Sequence, residues 1–334
     1  MPFSSLPEHL ADWGHRLTAA PVYLPAGDAL QPATSLPFAA GYLVLMGESL
    51  SRDQLLATVK QLAERGVQWA LLTPFTLAET EVVVLALSAY DSELVAWCKQ
   101  QTWPLDAVHI ERLPTQSQPG LILMDMDSTA IQIECIDEIA RLAGVGEQVS
   151  AVTAAAMQGK LEFADSLRNR VALLKGAPVS ILDTVAANMP LMPGLTLLVD
   201  GAQAAGWKVA IASGGFTRFA GKLQQELGLD HIEANEMGVE GETLSGLVHG
   251  RIVDSQVKAQ TLQKLQADYG VAATQTVAIG DGANDLPMLK LAALGVAIHA
   301  KPIVREQAQV AIRQGDLETV LCLLQAGTRI DGLL

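Results

Sequence analysis

Residues 121–129, with the sequence LILMDMDST, constrain the fold more than any other stretch of the chain. The four apolar residues predict a buried strand, and Asp125 and Asp127 follow it directly. Alternate residues of an extended chain share one face, so the two carboxylates are expected to converge just past the strand end. Close carboxylates repel each other, and a divalent cation such as Mg2+, which prefers oxygen ligands, relieves that repulsion. An acidic turn after a core strand is the simpler interpretation.

Composition and cysteine usage limit the class of protein. The chain has 334 residues, of which 50% are hydrophobic, and this predicts two or three domains with packed cores. No stretch reaches the ~18 uninterrupted apolar residues of a membrane span. The N-terminal residues lack a basic start followed by an apolar core, so no secretion signal is expected. The cysteines lie far apart without a CxxC pair, which disfavours disulfides and zinc and makes the cytoplasm the expected compartment.

The charge balance narrows the range of partners. A formal net charge of −14 and a pI near 4.8 argue against nucleic acid or an anionic membrane as the main partner. An anionic ligand would therefore need a bound metal, a helix N-terminus or a few well-placed cations.

The first third of the chain predicts a small α+β domain over residues 1–110. Residues 1–35, rich in proline and small residues, are expected to be irregular. A strand, a helix, two strands and a second helix are predicted at residues 41–46, 51–65, 67–72, 81–87 and 91–100. No cluster of histidine, cysteine or carboxylate side chains converges here, and the tryptophans are expected to pack in the core. Residues 111–120, with Pro114 and Pro119, predict a linker.

The second domain is predicted over residues 121–330. Further apolar strands are predicted at residues 208–213, 276–280, 294–298 and 308–312, with helical segments between them. This alternation is typical of an α/β doubly wound parallel sheet, which binds ligands at the carboxyl ends of its strands. The interval from Asp125 to Ser213 far exceeds the ~30 residues of a βαβ unit. Residues 131–190, mostly helix-compatible, therefore predict a helical cap that excludes water and selects substrate.

Two polar stretches follow predicted strands of this domain. Ser213 precedes Gly214 and Gly215, and a hydroxyl beside a closely approachable backbone suits an anion, although a plain turn is the alternative. Asp281, in the sequence GDGAND, offers a third carboxylate. In the same loop Asn284 can orient a neighbour, and Asp285 can hold a metal-bound water or simply cap a helix. The shared position of these stretches after strands indicates one site.

A lysine on a predicted helix is a further candidate for this site. Lys258 lies in the predicted helix 254–265 and, taken alone, is typical of solvated surface. In so acidic a chain, a cation near an anion site is a candidate ligand for phosphate. Phosphoryl transfer is catalysed mainly by positioning and charge neutralisation, so the combination favours this chemistry. Asp125 could attack phosphorus, while Asp127 could protonate the leaving alcohol and then deprotonate water.

Four stretches in this order, DMDST, SGG, Lys258 and GDGAND, resemble the motifs of the haloacid dehalogenase superfamily over residues 118–325. The chain also resembles the phosphoserine phosphatases of that superfamily. This second resemblance rests on cap residues at positions where that family contacts the amino-acid part of its substrate: Glu134, Met157, Phe163 and Arg170. From the residues alone, Glu134 and Arg170 would be assigned to the solvated surface.

The resemblance implies a role for each site residue. Asp125 is the nucleophile and a ligand of one Mg2+ per subunit, and Asp127 is the proton donor and acceptor that also gives its backbone carbonyl to the metal. Asp281 completes the metal site with Asp285 in support. The implied substrate contacts are Ser213, Gly214 and Lys258 on the phosphate, Glu134 on the ammonium, Arg170 on the carboxylate, Met157 and Phe163 as an apolar lid, and Asn284 as an ordering residue.

The same resemblance implies hydrolysis of O-phospho-L-serine to L-serine and phosphate, the last step of serine biosynthesis. Two alternatives remain open at this point. One is transfer of the phosphoryl group to another alcohol such as homoserine, and the other is an amino-acid-binding regulatory protein with a relic catalytic domain. The N-terminal domain resembles an ACT-type amino-acid-binding domain in element order, which leaves regulation or formation of a homodimer as its expected role.

Overall fold

The computed structural model describes residues 8–13, 17, 20–27, 29–100, 102–158 and 160–334. The chain forms two compact units: Met1–Gln118 with Val296–Leu334, and Pro119–Gly295. No helix in the described part of the chain is both long enough and apolar enough to cross a membrane.

The first unit is built on an antiparallel sheet. Its strands are β1 (Val22–Ala26), β2 (Ala29–Ala33), β3 (Gly41–Gly47), β4 (Trp69–Leu72), β5 (Phe75–Leu77), β6 (Thr80–Leu87) and β7 (Asp106–Ile110). Its helices here are a short 3-10 helix at Leu10–Trp13, α1 (Arg52–Glu64) and α2 (Ser92–Gln100). The strands lie in the order β2-β1-β4-β6-β3-β7, with β5 paired to β6. The succession β3-α1-β4-β6-α2-β7 is the split βαβ arrangement of ferredoxin-like folds.

Two features of this unit differ from the sequence-based expectation. Part of the stretch 1–35, expected to be irregular, lies outside the described residues, but β1 and β2 within it form an antiparallel hairpin. Its prolines hid this hairpin, since Pro25 and Pro32 are tolerated in strands only near an edge. The prediction also missed β7, which pairs with β3 just before the predicted linker.

Helix α1 shows why the other elements were predictable. The Ser51 side chain accepts a hydrogen bond from the Gln54 backbone N–H at 3.3 Å, and the Gln54 side chain accepts one from the Ser51 N–H at 2.8 Å. This capping box satisfies two N–H groups that the helix itself cannot pair. Gly66, at φ 67°, follows the last turn. The start and end signals were both local in sequence, so the bounds of the helix were predictable within a residue or two.

His109 on β7 is a buried histidine held in one tautomer. The Asp91 N–H donates to its Nε2 at 3.1 Å, so the ring proton resides on Nδ1, which donates to the Tyr42 carbonyl at 3.0 Å. The ring also stacks on Tyr90 with 4.8 Å between centroids. Burial lowers the pKa of His109, and the Tyr42 carbonyl and the Asp91 carboxylate only partly oppose that shift.

We expect this histidine to make the protein less stable in mild acid. As pH falls below the ordinary histidine value of about 6.5, the unfolded chain binds the proton first, so the stability contributed by neutral His109 is complete above that pH and is lost below it. Urea unfolding at pH 7.5 and pH 5.5 should show a smaller loss for His109→Gln than for the unaltered chain. His249→Gln, at an exposed histidine, should behave like the unaltered chain. Equal losses in all three proteins would contradict the prediction.

The second unit contains a mainly parallel sheet with an insertion of helices. Its strands are β8 (Leu121–Met124), β9 (Lys208–Phe216), β10 (His231–Glu240), β11 (Thr243–His249) and β12 (Thr276–Gly280), in the order β11-β10-β9-β8-β12. Strands β10, β9, β8 and β12 are parallel, and β11 forms an antiparallel hairpin with β10. The hairpin was not predicted, because its strands carry few of the apolar runs by which the central strands were found.

Helices occupy the intervals between these strands. They are α3 (Cys135–Leu142), α4 (Gly146–Met157), α5 (Phe163–Ala172), α6 (Ser180–Ala187), α7 (Leu195–Ala204), α8 (Thr217–Leu227), α9 (Ser255–Asp268) and α10 (Leu286–Leu291). Two short 3-10 helices lie at Ala273–Gln275 and Ala283–Asp285. The helices α3 to α6 all fall within the predicted cap, 131–190. They follow β8 directly, which places the insertion at the carboxyl end of the central strand.

The last segment belongs to the first unit. Strand β13 (Leu294–Ile298) leads into it, followed by α11 (Pro302–Gln307), β14 (Val310–Ile312) and α12 (Glu318–Asp331). β13 and β14 pair in parallel from Val296 and Val310 onward. Most of α12 is buried, and it packs against β3 and β6.

Candidate active site

The carboxyl ends of β8 and β12 bring the acidic stretches together. The two strands pair in register from Leu121 and Thr276, so the residues that follow them emerge side by side. Carboxylate oxygens of Asp125, Asp281 and Asp285 lie within 4.8 Å of one another. Asp125 is 6% exposed and Asp285 is fully buried. Of the three carboxylates expected to converge, Asp125 and Asp281 belong to this cluster, and its third member is Asp285 rather than Asp127.

Lys258 lies inside this cluster. Its Nζ is 2.6 Å from Asp125 Oδ2 and 2.7 Å from Asp285 Oδ1, and its side chain is buried. Burial disfavours the ammonium, but the two carboxylates outweigh it, so the pKa of Lys258 is raised. A lysine on a helix is typical of solvated surface when taken alone, whereas Lys258 is buried. It shares the buried stripe of α9 with Leu262 and Leu265 at helical spacing, and that spacing was the missed signal.

One ammonium group does not balance the cluster. Burial, and then the neighbouring Asp125, raise the pKa of Asp281 to about 6. Burial also raises the pKa of Asp285 to about 7, although Lys258 acts in the opposite direction. Three carboxylates share one ammonium group, so the cluster has an excess of negative charge when all three are ionised. A set of hard oxygen donors with excess negative charge fits a divalent cation such as Mg2+.

Asp127 lies near Asp125 and beside the backbone of Gly215. Its Oδ1 is shielded from solvent and accepts no hydrogen bond from the described residues. Burial, followed by the charges of Glu134 and Asp125, raises the pKa of Asp127 to about 8. A raised pKa favours the protonated carboxyl, which is the form that can donate a proton to a leaving alcohol.

The glycines after Ser213 form a tight cradle beside these carboxylates. A Cβ on Gly215 would lie 2.6 Å from Met126 Cε and 3.0 Å from Asp127 Oδ2, so only glycine fits without a shift. The Ser213 hydroxyl accepts the Gly215 N–H at 2.9 Å. The predicted strand end at Ser213 was wrong, because β9 continues to Phe216 and α8 begins only at Thr217. The backbone of Gly214 and Gly215 is thus extended chain rather than the first turn of a helix.

Asn235 on β10 was missed by the sequence analysis. It is 1% exposed, its Nδ2 donates to the Gly214 carbonyl at 2.8 Å, and its Oδ1 accepts the Val253 N–H at 2.8 Å. Val253 lies just before α9, the helix that carries Lys258. The Asn235 carboxamide therefore links the glycine cradle to the segment that leads into α9. No local pattern marks a single asparagine for this role.

We expect Asn235→Ala to impair both stability and turnover. Loss of the carboxamide leaves a buried carbonyl and a buried N–H unpaired, which should lower the free energy of unfolding by about 1–3 kcal/mol. The loosened cradle should lower kcat/KM for a phosphate ester by roughly tenfold. Chemical unfolding and steady-state kinetics test both effects. Asn188→Ala is the matched control, since this exposed asparagine bonds only a helix end in the cap. Equal behaviour of the two variants would refute the positioning role.

Three of the four predicted cap residues have contacts near the acidic cluster. Glu134 Oε1 accepts the Ser128 hydroxyl at 2.8 Å, and Ser128 has a left-handed backbone at φ 56°. Phe163 lies close enough to Gly214 that an added Cβ there would be 2.8 Å from its Cζ. Arg170 experiences the charges of Asp137, Glu134 and Asp127. These contacts bring the cap beside the acidic centre.

Two predicted residues have no such contact. Met157, at the end of α4, is 69% exposed. Asn284 is half-buried next to Gly282, with no side-chain hydrogen bond to another described residue. Thr129, for which no role was predicted, donates a hydrogen bond to Asp281 Oδ1 at 3.2 Å and so orients that carboxylate.

Residues 119–293, more than half of the chain, match the family model of a haloacid dehalogenase-like hydrolase. The chain belongs to this haloacid dehalogenase-like hydrolase family. The predicted α/β fold with a parallel sheet is thereby confirmed, as is the family resemblance carried by the four motifs.

Similar proteins and structures include several named phosphoserine phosphatases. The chain is 56% identical over 226 residues to a phosphoserine phosphatase of Haemophilus influenzae, covering 68% of this chain and 72% of the relative. An unliganded crystal structure of a probable phosphoserine phosphatase from Vibrio cholerae has a TM-score of 0.77 and 45% identity, covering 88% of this chain and 89% of that one. A phospho-aspartyl intermediate analogue of a phosphoserine phosphatase has a TM-score of 0.58 and 40% identity, covering 61% and 98%.

Proposed function

We propose that the chain is a Mg2+-dependent phosphoserine phosphatase that hydrolyses O-phospho-L-serine to L-serine and phosphate. The observation that carries the proposal is the buried cluster of Asp125, Lys258 and Asp285 beside the carboxyl of Asp127, whose Oδ1 accepts no hydrogen bond from the described residues. Relatives at 45–56% identity that bear this name support the substrate. The geometry of the cap, with an acid and an arginine near the catalytic centre, agrees with an amino-acid substrate.

The residues that would hold the metal are already close together. Asp125 and Asp281 would be direct ligands, with the backbone carbonyl of Asp127 as a third and Asp285 in support. When bound, Mg2+ supplies positive charge that neutralises the phosphate and makes phosphorus easier to attack. One ion per subunit matches the single cluster of this type among the described residues.

The chain's own groups account for both half-reactions. A carboxylate oxygen of Asp125 attacks phosphorus and forms an acyl phosphate while the bond from phosphorus to the serine oxygen breaks. The proton of Asp127 passes to that oxygen, so L-serine leaves neutral at its hydroxyl. Asp127, now ionised, takes a proton from water as the water attacks the acyl phosphate, which releases phosphate and restores both aspartates.

The surrounding residues position the substrate for this attack. The backbone of Gly214 and the Ser213 hydroxyl would hold phosphate oxygens. Lys258 holds the Asp125 carboxylate in place and would face the same oxygens. Glu134 would pair with the substrate ammonium and Arg170 with its carboxylate in a planar fork. Met157 and Phe163 would close over the substrate, and Asn284 would order the loop beneath it.

We expect Arg170→Ala to weaken phosphoserine selectively. Removing the guanidinium should lower kcat/KM for phosphoserine by roughly 10–100-fold, because a charged hydrogen bond to the substrate carboxylate is lost. A phosphate ester without a carboxylate, such as p-nitrophenyl phosphate, should be affected little. Arg168→Ala is the matched control, since this exposed arginine on the same helix pairs with Asp165. Equal losses on the two substrates would rule out the carboxylate clamp.

A panel of phosphate esters with and without Mg2+ tests the proposed function. Phosphoserine should be the best substrate, and chelation of the metal should stop its hydrolysis. Addition of homoserine should leave free phosphate as the only phosphorylated product. Formation of phosphohomoserine would instead establish a phosphotransferase, and absence of all hydrolysis would support the relic regulatory protein.

Three further expectations belong with this proposal. The enzyme acts in the cytoplasm, in the last step of serine biosynthesis, and the first unit, an ACT-type domain, serves either regulation or formation of a homodimer. The domain limits at residues 110, 120 and 330 are likewise proposed. Sedimentation of the full chain with and without L-serine would test the assembly, since an unchanged monomer would contradict it.

A further inference from the structure

A cavity of about 380 Å3 lies in the first unit between α2 and the segment that carries α11 and β14. This volume is sufficient for a small metabolite. Val95 and Ala96 of α2 form part of one wall. None of the predicted catalytic or substrate-binding residues lines it, so any ligand bound here would occupy a second site.

The charge of this cavity is opposite to that of the whole chain. Among its described lining residues, Lys99, Arg305 and Arg313 are cationic and Glu306 is the acid that accompanies them. The chain as a whole has a formal net charge of −14. Cations gathered in a concave, partly apolar space repel one another and raise the local concentration of anions.

Lys99 is fixed at the wall by a helix end. Its Nζ donates to the Glu306 carbonyl at 3.0 Å and to the Ala308 carbonyl at 2.7 Å, at the C-terminus of α11. An ammonium has three N–H groups, so one remains for a ligand after these two bonds. Burial lowers the pKa of Lys99, whereas Glu306 acts in the opposite direction. A bound anion would relieve the cost of that burial.

The turn that carries Arg313 is held by a buried carboxylate. Asp106, 1% exposed, accepts the backbone N–H of Arg313 at 2.8 Å and that of Gly315 at 2.9 Å. The position of this arginine at the cavity is therefore set by the core of the unit. Arg305, by contrast, has no side-chain hydrogen bond or ion pair to another described residue. Its planar guanidinium is suited to bidentate recognition of a carboxylate or phosphate.

We propose that this cavity, which we term the α2–α11 cavity, binds a small oxyanion with at least two negative charges, a phosphate or a dicarboxylate. Lys99 is held by two backbone carbonyls, the backbone of Arg313 is held by Asp106, and the Arg305 guanidinium is available to a ligand. Three cations around a space of this size match the charge and dimensions of such an anion. The acidic remainder of the surface disfavours a polyanion such as nucleic acid. The inference does not depend on the reaction proposed for the other unit.

Calorimetric titration of the full chain with malonate and with inorganic phosphate, at low salt and without Mg2+, tests the proposal. Malonate should bind the unaltered chain, and acetate should bind at least about tenfold more weakly because it carries one charge fewer. Arg305→Gln should weaken malonate at least about tenfold, the effect expected when a charged hydrogen bond is lost. Lys99→Met should do the same, and the ratio of the phosphate and malonate affinities identifies the preferred head group.

Two controls separate this site from others. Arg168→Gln, at an exposed arginine of the other unit, should leave malonate binding unchanged. Ser213→Ala, which alters the proposed phosphate cradle, should also leave it unchanged, and Arg305→Gln should keep the full rate of phosphoserine hydrolysis. Malonate affinity that is unaffected by Arg305→Gln, abolished by Ser213→Ala or absent in the unaltered chain would overturn the proposal. The malonate titrations contain no phosphoserine, so their outcome does not bear on whether phosphoserine is the substrate.

Discussion

Asp125→Asn is expected to reduce phosphoserine turnover by roughly 10⁴-fold or more, since an amide oxygen is a poor nucleophile and no other described carboxylate replaces it. Asp125 is held with Oδ1 accepting the Met126 N–H at 2.7 Å and Oδ2 paired to Lys258. Asparagine can keep the first contact, so the fold should survive while the chemistry fails.

Rapid quenching with phosphoserine labelled in the phosphoryl group gives a direct readout. The unaltered chain should carry acid-stable label on protein, whereas Asp125→Asn should carry none. The matched control is Asp165→Asn, at an exposed carboxylate of the cap paired with Arg168, which should label and turn over normally. Turnover by Asp125→Asn above about 1% of the unaltered rate, in protein that is free of deamidated chain, would disprove attack by this residue.

Lys258→Met should have the largest effect on stability. Removing one partner of a buried charge pair typically costs about 3–5 kcal/mol, because the remaining charges are left uncompensated. Here both Asp125 and Asp285 would lose their cation at once. The free energy of unfolding without Mg2+ should fall by about that amount, and kcat should fall by roughly 10²–10³-fold, as when one group that stabilises developing charge is removed.

A second lysine on α9 provides the control for Lys258→Met. Lys264 on α9 is exposed and pairs with Asp268, so Lys264→Met should change the free energy of unfolding much less than Lys258→Met does. Urea unfolding with and without Mg2+ distinguishes the two. Mg2+ should recover part of the loss in Lys258→Met, since the exposed negative charge favours the ion. A loss no larger than that of Lys264→Met would show that the buried pairs contribute little.

Much of the candidate site could be predicted from sequence because its signals are local. Each acidic or glycine-containing stretch follows an apolar strand, and parallel strands bring their carboxyl ends to one edge. Asp125, Asp281 and Ser213 were located by that rule alone. Lys258 could also have been assigned to the interior, because it shares the helical spacing of Leu262 and Leu265.

The remaining features depend on contacts between distant segments. Asn235 acts through Gly214 and Val253, and nothing near it in sequence identifies those partners. Glu134 and Arg170 were placed by family resemblance, since an acid and an arginine on helices are otherwise typical of surface. The hairpin β1–β2 was obscured by its prolines, whose tolerance depends on being near a sheet edge, a property that only the assembled sheet defines.

The first unit is interrupted in the chain by the second, and this has a consequence for biosynthesis. Helix α12, which packs against β3 and β6, leaves the ribosome only after every residue of the second unit has been synthesised. The sheet made first must therefore wait with an uncovered apolar face, while the unit made later can complete its own contacts before it. Truncation within α12 should consequently harm the antiparallel sheet, whose strands lie far from this helix in sequence.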